Sequence, residues 1–194
     1  MNNRTIISLR QHQIRRVIFF ILFLTSCCVE PIPSAGQTTP QKRRLVNLIP
    51  HHLPLKIEIR NFDNENWLRE MEIEVTNTSG KPVYFLDFFI TLPDVKGHSG
   101  NPVGFFLKYG RLKLIDLSTP IEPEDVPILP GGIYVLKIGE SYLKGWEKSS
   151  TRKNLPENEP KKVELNFAYL NFGDGTGFRG TDAKPFDINE DCAN

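Results

Sequence analysis

Beyond residue 50 the chain alternates apolar and polar positions. Leu55, Ile57 and Ile59 take turns with Lys56, Glu58 and Arg60, the period of two expected of a strand with one buried face. After the turn cluster Asn61–Asn66, residues Met71, Ile73 and Val75 alternate with Glu70, Glu72 and Glu74. These glutamates read as the wet face of an antiparallel strand opposite the Lys/Arg face, not as metal ligands. The stretch Glu74–Leu92 predicts a core hairpin: a strand end, the polar turn Asn77–Pro82 with Asn77 closing an Asx turn, and a long strand over Val83–Leu92. One face of that strand carries Tyr84, Leu86, Phe88, Ile90 and Leu92; the other carries Val83, Phe85, Asp87, Phe89 and Thr91. A strand apolar on both faces is central and covered on both sides, or lays one face on a partner. Asp87 is the residue that breaks the pattern. It reads first as a buried, paired structural acid, then as a rim acid, then as a functional one.

Further strands are expected at Phe105–Tyr109 and Leu112–Leu117, around the Gly110-Arg111 turn. Ser118–Leu129, with Pro120, Pro123 and Pro127, reads as a stiff crossing from one sheet to another, and Pro130-Gly131-Gly132 turns into a strand over Ile133–Ile138. Tyr142, Leu143 and Trp146 predict a helical turn that Gly145 keeps short. Lys148–Lys162 reads as charged and mobile. Val163, Leu165, Phe167 and Tyr169 predict a last strand with these side chains on one face, turned by Gly173–Phe178 and followed by a frayed acidic tail. The whole predicts an all-β fold, a Greek-key β-sandwich of about seven to eight short strands spanning residues 51–184. A tail over 185–194 is expected to be disordered.

The first fifty residues differ. Residues 1–16 are basic with no acid, and Val17–Leu24 (VIFFILFL) is uninterruptedly apolar. That is a signal-peptide pattern over residues 1–26, too short to span a bilayer of ~30 Å. Residues 27–50 read as a flexible tether, its Lys42-Arg43-Arg44 as solvated charge. The formal charge of +1 rests on Arg4, Arg10, Arg15 and Arg16; without them 20 basic residues face 23 acidic ones. No basic face for nucleic acid is expected.

Candidate chemistry is sparse. No GxSxG, HExxH, P-loop or GxGxxG occurs, and no cofactor is expected. His51 and His52 are adjacent, so on a strand they point opposite ways. Asp174, Asp182 and Asn171 are the residues a Ca²⁺ site at the last turn would use, but their spacing fits no EF-hand loop. Cys28 and Cys192 are left for a disulfide if Cys27 is modified.

Leu24-Thr25-Ser26-Cys27 resembles the lipobox of bacterial lipoproteins, a likeness that implies lipidation of Cys27; the rival is ordinary cleavage, after Gly36, and secretion. Val75–Val83 (VTNTSGKPV) followed by Leu129-Pro130-Gly131-Gly132 resembles bacterial immunoglobulin-like domains. There the asparagine turn links the second and third strands, and the proline-glycine turn precedes a strand returning to the first sheet. The Cys…Trp…Cys core of antibody-type domains is missing. Asn171–Thr176 (NFGDGT) looks like a turn of polycystic-kidney-disease-type modules without the usual preceding Trp-Asp, and reads here as a hairpin turn. The chain in its entirety resembles uncharacterised exported proteins of environmental bacteria such as acidobacteria, which supplies no activity. The expected role is a lipid-anchored, cell-envelope binding or structural module, its partner an envelope protein or a glycan. The alternatives are a carbohydrate-binding module using exposed aromatics at Trp67, Trp146 or Phe178, and a small hydrolase with Asp87 or Asp174 as its acid.

Overall fold

The structure, a computed structural model, describes residues 42–97, 99–153 and 160–191. The leader, Cys27, Cys28, Cys192 and His98 lie outside the described residues. Those described belong to one compact unit that begins at Lys42. It is mostly β: nine strands are β1 (Arg44–Asn47), β2 (Leu55–Arg60), β3 (Glu72–Asn77), β4 (Phe85–Lys96), β5 (Pro102–Tyr109), β6 (Ile133–Leu136), β7 (Lys162–Asn171), β8 (Thr176–Arg179) and β9 (Lys184–Asp187). Between them lie α1 (Trp67–Glu70), a 3₁₀ turn at Leu112–Ile115 and α2 (Glu140–Lys153), and α3 (Ile188–Asp191) follows β9. No helix of the described residues is long and apolar enough to cross a membrane.

The strands form two sheets. The large one runs β5-β4-β7-β8-β9, with β1 parallel against the first half of β7; the small one runs β2-β3-β6. Ile73, Val75 and Leu136 of the small sheet and Leu86, Phe88, Ile90 and Leu92 of the large one share a single core. At roughly 1.5–3 kcal/mol for each large apolar side chain buried, this shared core dominates the stability of the fold. The charged face of β2 and β3 is wet, as the alternation requires: Arg60 lies 2.9 Å from Glu74 and Lys137 2.7 Å from Glu72.

Several sequence expectations are corrected. Glu74–Leu92 is not a hairpin, because β3 and β4 belong to different sheets and Asn77–Tyr84 carries the chain across the core. The ordered body begins before residue 51 and continues beyond 184, since β1 pairs with β7 and β9 with β8. Arg43 is no solvated linker charge. Its guanidinium lies 4.5 Å from the centre of the Trp67 ring, and its Nη1 donates to the Phe62 carbonyl at 2.9 Å. Leu112–Leu117 is not a strand: Leu114 and Leu117, three apart, are buried, which suits a 3₁₀ turn. Helix α2 spans 14 residues and extends through Lys148–Lys153. Gly145 costs about 1 kcal/mol there, less than the roughly 2 kcal/mol each from burying Leu143 and Trp146 on one helical face.

β7 also departs from simple alternation. Asp87 pairs with Tyr169 but Phe88 with Phe167, so Ala168 is an extra residue. This bulge sends Val163, Leu165, Phe167 and Leu170 inward and turns Tyr169 to the outer face.

The crossing between the sheets hangs on Asn77, which is fully buried. Its Nδ2 donates to the carbonyls of Lys81 and Ile128, both at 2.8 Å, and its Oδ1 accepts from the Ser79 amide at 2.9 Å. Asn77→Ala removes the hydrogen bonds of a buried amide and takes the acceptor from the Ser79 amide, and we expect a loss of roughly 3 kcal/mol in urea denaturation. Asn77→Asp keeps the acceptor, removes both donors, and is expected to be comparably destabilised; a wild-type midpoint for either variant would contradict this role.

Candidate functional site

Of the residues singled out in the sequence, Trp67 and Trp146 line one cleft, while Phe178 lines another and Asp87 lines neither. Trp67 and Trp146 are 1% and 7% exposed, so the expectation that they present exposed rings is corrected. Trp67 packs edge-on against Phe62 under Arg43, and Trp146 edge-on against Phe105. Between their helices lies a cleft of about 50 Å³, lined by Leu68, Leu143 and both tryptophans, too small for a sugar ring. Phe178 is half-buried on β8 and lines an open groove of about 290 Å³ with Phe172, Thr176, Pro185, Phe186 and Asp187. Its ring lies 6.1 Å from Phe172 and 6.2 Å from His52, whose Nε2 donates to the Ala183 carbonyl at 2.9 Å.

The last turn is built as its sequence indicates. Gly173 and Gly175 take φ of +79° and +84°, and Asp174 Oδ1 accepts from the Thr176 amide at 3.0 Å. Asp174 Oδ2 is taken by Lys81 Nζ at 2.7 Å, which helps hold its carboxyl below the usual range although burial raises it. Asn171 directs its amide to the backbone: Nδ2 donates to the Leu114 carbonyl at 2.7 Å and Oδ1 accepts from the Gly173 amide at 2.6 Å. Among the described residues no group of three or more His, Cys, Asp or Glu is placed to hold a metal ion.

Asp87 has the most distinctive surroundings. It lies on the outer face of β4, between Lys108 of β5 and Tyr169 of β7 in the ladder. One half of that face is covered. The 3₁₀ turn packs against β4 and β7 with Leu114 buried, Leu117 lies over Gly177, and Tyr169 packs edge-on against buried Phe85. Arg111 anchors the segment that follows, through Asp125 at 2.7 and 3.0 Å and Glu122 at 2.8 Å. The Arg111 bond holds the Asp125 carboxyl down to about 2. The other half is open: Phe106 is 45% exposed and lies 6.3 Å from half-buried Phe89. Asp87 stands at the boundary between the two halves.

Asp87 itself is 3% exposed. Among the described residues its Oδ1 has no hydrogen-bond partner, and Oδ2 is 3.9 Å from Lys108 Nζ, within reach of the charge but not of a hydrogen bond. Lys108 instead lies 4.9 Å from the centre of the Phe106 ring. Burial pushes the Asp87 carboxyl up to about 6 against the pull of Lys108. The acid expected to be buried and paired is therefore buried but only loosely paired. The sequence marked Asp87 through its apolar neighbours; Lys108, Tyr169 and Phe106 were invisible as its companions, because register and the Ala168 bulge put them there.

No protein-family model, curated protein or solved structure matches this chain.

An acid whose carboxyl rises to about 6 from 3.8 on folding binds its proton more tightly in the folded state. Its contribution is therefore greatest at low pH and falls as pH rises between those values. We expect the wild-type denaturation midpoint to drop between about pH 4 and pH 6 relative to that of Asp87→Asn. Parallel pH profiles for the two proteins would refute the assignment.

Proposed function

We propose that the chain is an exported bacterial cell-envelope protein, anchored by lipid on Cys27, that presents an immunoglobulin-like Greek-key β-sandwich as a non-catalytic binding or structural module. The export and anchoring rest on the basic leader, the apolar run Val17–Leu24 and the lipobox-like Leu24–Cys27. Two features of the chain path favour the immunoglobulin-like reading. The asparagine-containing segment after β3 crosses to the other sheet, and the proline-glycine turn precedes β6, which returns to pair with β3.

The observation that carries a binding role is the half-open outer face of β4 and β5. Phe106 stands exposed above Phe89, and the covering loop ends short of both. Burying such a ring on a partner contributes about 1.5–3 kcal/mol, while the neighbouring Lys108 supplies charge for orientation. This favours an envelope protein as partner. The Phe172–Phe178–Phe186 groove supports the second reading, a carbohydrate-binding module, because sugar rings stack on aromatic faces beside polar groups such as Thr176 and Asp187.

The anchor is tested by fatty-acid labelling, which is expected to vanish in Cys27→Ser; equal labelling of variant and wild type would remove it. A photo-crosslinker at Phe106 is expected to capture an envelope protein from native membranes, whereas one at Glu58 on the far sheet captures none. If both positions behave alike while cell-wall polysaccharide binds and is released by Phe178→Ala, the carbohydrate reading replaces the first.

A further inference from the structure

Unpaired strand edges invite pairing with another chain, and natural sheets blunt them with charge or proline. Four edge strands of this structure carry such residues: β1 has Arg44; β2 has Lys56, Glu58 and Arg60; β5 has Pro102 and Lys108; β9 has Lys184, Pro185 and Asp187. Tyr142 of α2 also flanks β5, its ring 6.4 Å from Phe105 and 6.5 Å from Phe106. β6 (Ile133-Tyr134-Val135-Leu136) has neither charge nor proline. Its first three side chains are 61%, 39% and 37% exposed, and Leu129 before its turn is 61% exposed.

The hydrogen-bond phase of β6 follows from its pairing with β3. The Asn77 amide donates to the Gly132 carbonyl at 3.0 Å, and the register continues Thr76 opposite Ile133 and Val75 opposite Tyr134. Alternation then directs the amides and carbonyls of Tyr134 and Leu136 to β3, and those of Ile133 and Val135 away from it. Among the described residues these outward groups meet no backbone partner.

We propose that β6 pairs antiparallel with β6 of a second copy of this chain, about a two-fold axis at Tyr134, joining two small sheets into one. This register sets Ile133 of each copy opposite Val135 of the other, apolar against apolar and with their outward backbone groups facing. Tyr134 meets Tyr134 as the central non-hydrogen-bonded pair, and Lys137, whose Nζ is held by Glu72 at 2.7 Å, falls opposite the uncharged Gly131. No charged side chain of either β6 confronts another. Moving the axis to Val135 would set Lys137 against the apolar Ile133 side chain, so side-chain matching favours Tyr134. A two-fold contact of this kind is self-complementary and closes, which an apolar edge offered to an unrelated strand does not guarantee. The pairing strand belongs to the small sheet, whereas Phe106 lies on the large one.

The test uses the full-length chain in detergent with Cys27, Cys28 and Cys192 replaced by Ser. Cα atoms of a non-hydrogen-bonded antiparallel pair lie about 4.5 Å apart, within disulfide range. Tyr134→Cys is therefore expected to form a disulfide-linked dimer on oxidation, and Val135→Cys and Ile133→Cys are not. Tyr134 also packs against Tyr109, ring centres 4.4 Å apart and tilted by 60°, so sedimentation of the chain with Tyr134 intact provides a second readout. It is expected to show a concentration-dependent dimer that Val135→Lys abolishes while circular dichroism stays unchanged. Cross-linking alike at all three positions, or at none, or a monomer at every concentration, overturns the proposal.

Discussion

The structure depends on covering both faces of β4. This 12-residue strand places Leu86, Phe88, Ile90 and Leu92 on one side and Phe85, Asp87 and Phe89 on the other. A strand of that composition is stable only in the middle of a sheet, and β5 and β7 flank it along most of its length. Its inner face is closed by the small sheet. Among the described residues no second sheet lies on its outer face, and a loop covers part of it. The 3₁₀ turn and the residues just after it place Leu114 and Leu117 over one half, and Arg111, bound to Asp125 and Glu122, fixes the segment that follows. Where that loop ends, the open aromatic surface begins. Fold and proposed function therefore meet on one strand.

Carrying the chain across the core exposes backbone groups to desolvation, and two buried asparagines meet that cost. Asn77 ties the β3–β4 crossing to Ile128 on the return path, and Asn171 ties the end of β7 to the 3₁₀ turn at Leu114. Each uses its oxygen to close a local turn and its amide nitrogen to reach a distant carbonyl. A neutral side chain with both functions fits where a carboxylate would lack the donors and a serine the reach. Asp87 is the contrasting case. It is a buried polar group whose nearest cation is drawn over an aromatic ring instead of into a hydrogen bond, which is why its ionised form is disfavoured.

Local pattern made much of this legible. The alternation of β2 and β3, the centrality of β4, the Asx turn at Asn77 and the Asp174-Gly175 tip were readable because each is decided by residues adjacent in sequence. The separation of the sheets was not. Alternation reports which side of a strand is wet but not which neighbour it pairs with, so β3 and β4 looked like one hairpin. The aromatics misled for a related reason: a tryptophan carries no local mark of exposure, and Trp67 and Trp146 are buried by α1, α2 and Arg43 arriving from distant parts of the chain.

The sequence by itself determined strand character, turn chemistry and the basic, apolar leader, since these follow from side-chain period, backbone preference and charge. Tertiary structure alone decided the companions of Asp87. One extra residue at Ala168 shifts the β7 register and turns Tyr169 outward, and strand pairing brings Lys108 alongside. It also decided that β6 is an edge with no strand beside it among the described residues: the same four apolar residues would be an ordinary core strand had another strand followed beside them. Exposure is a property of what packs next to a segment, and that is fixed only when the whole chain has folded.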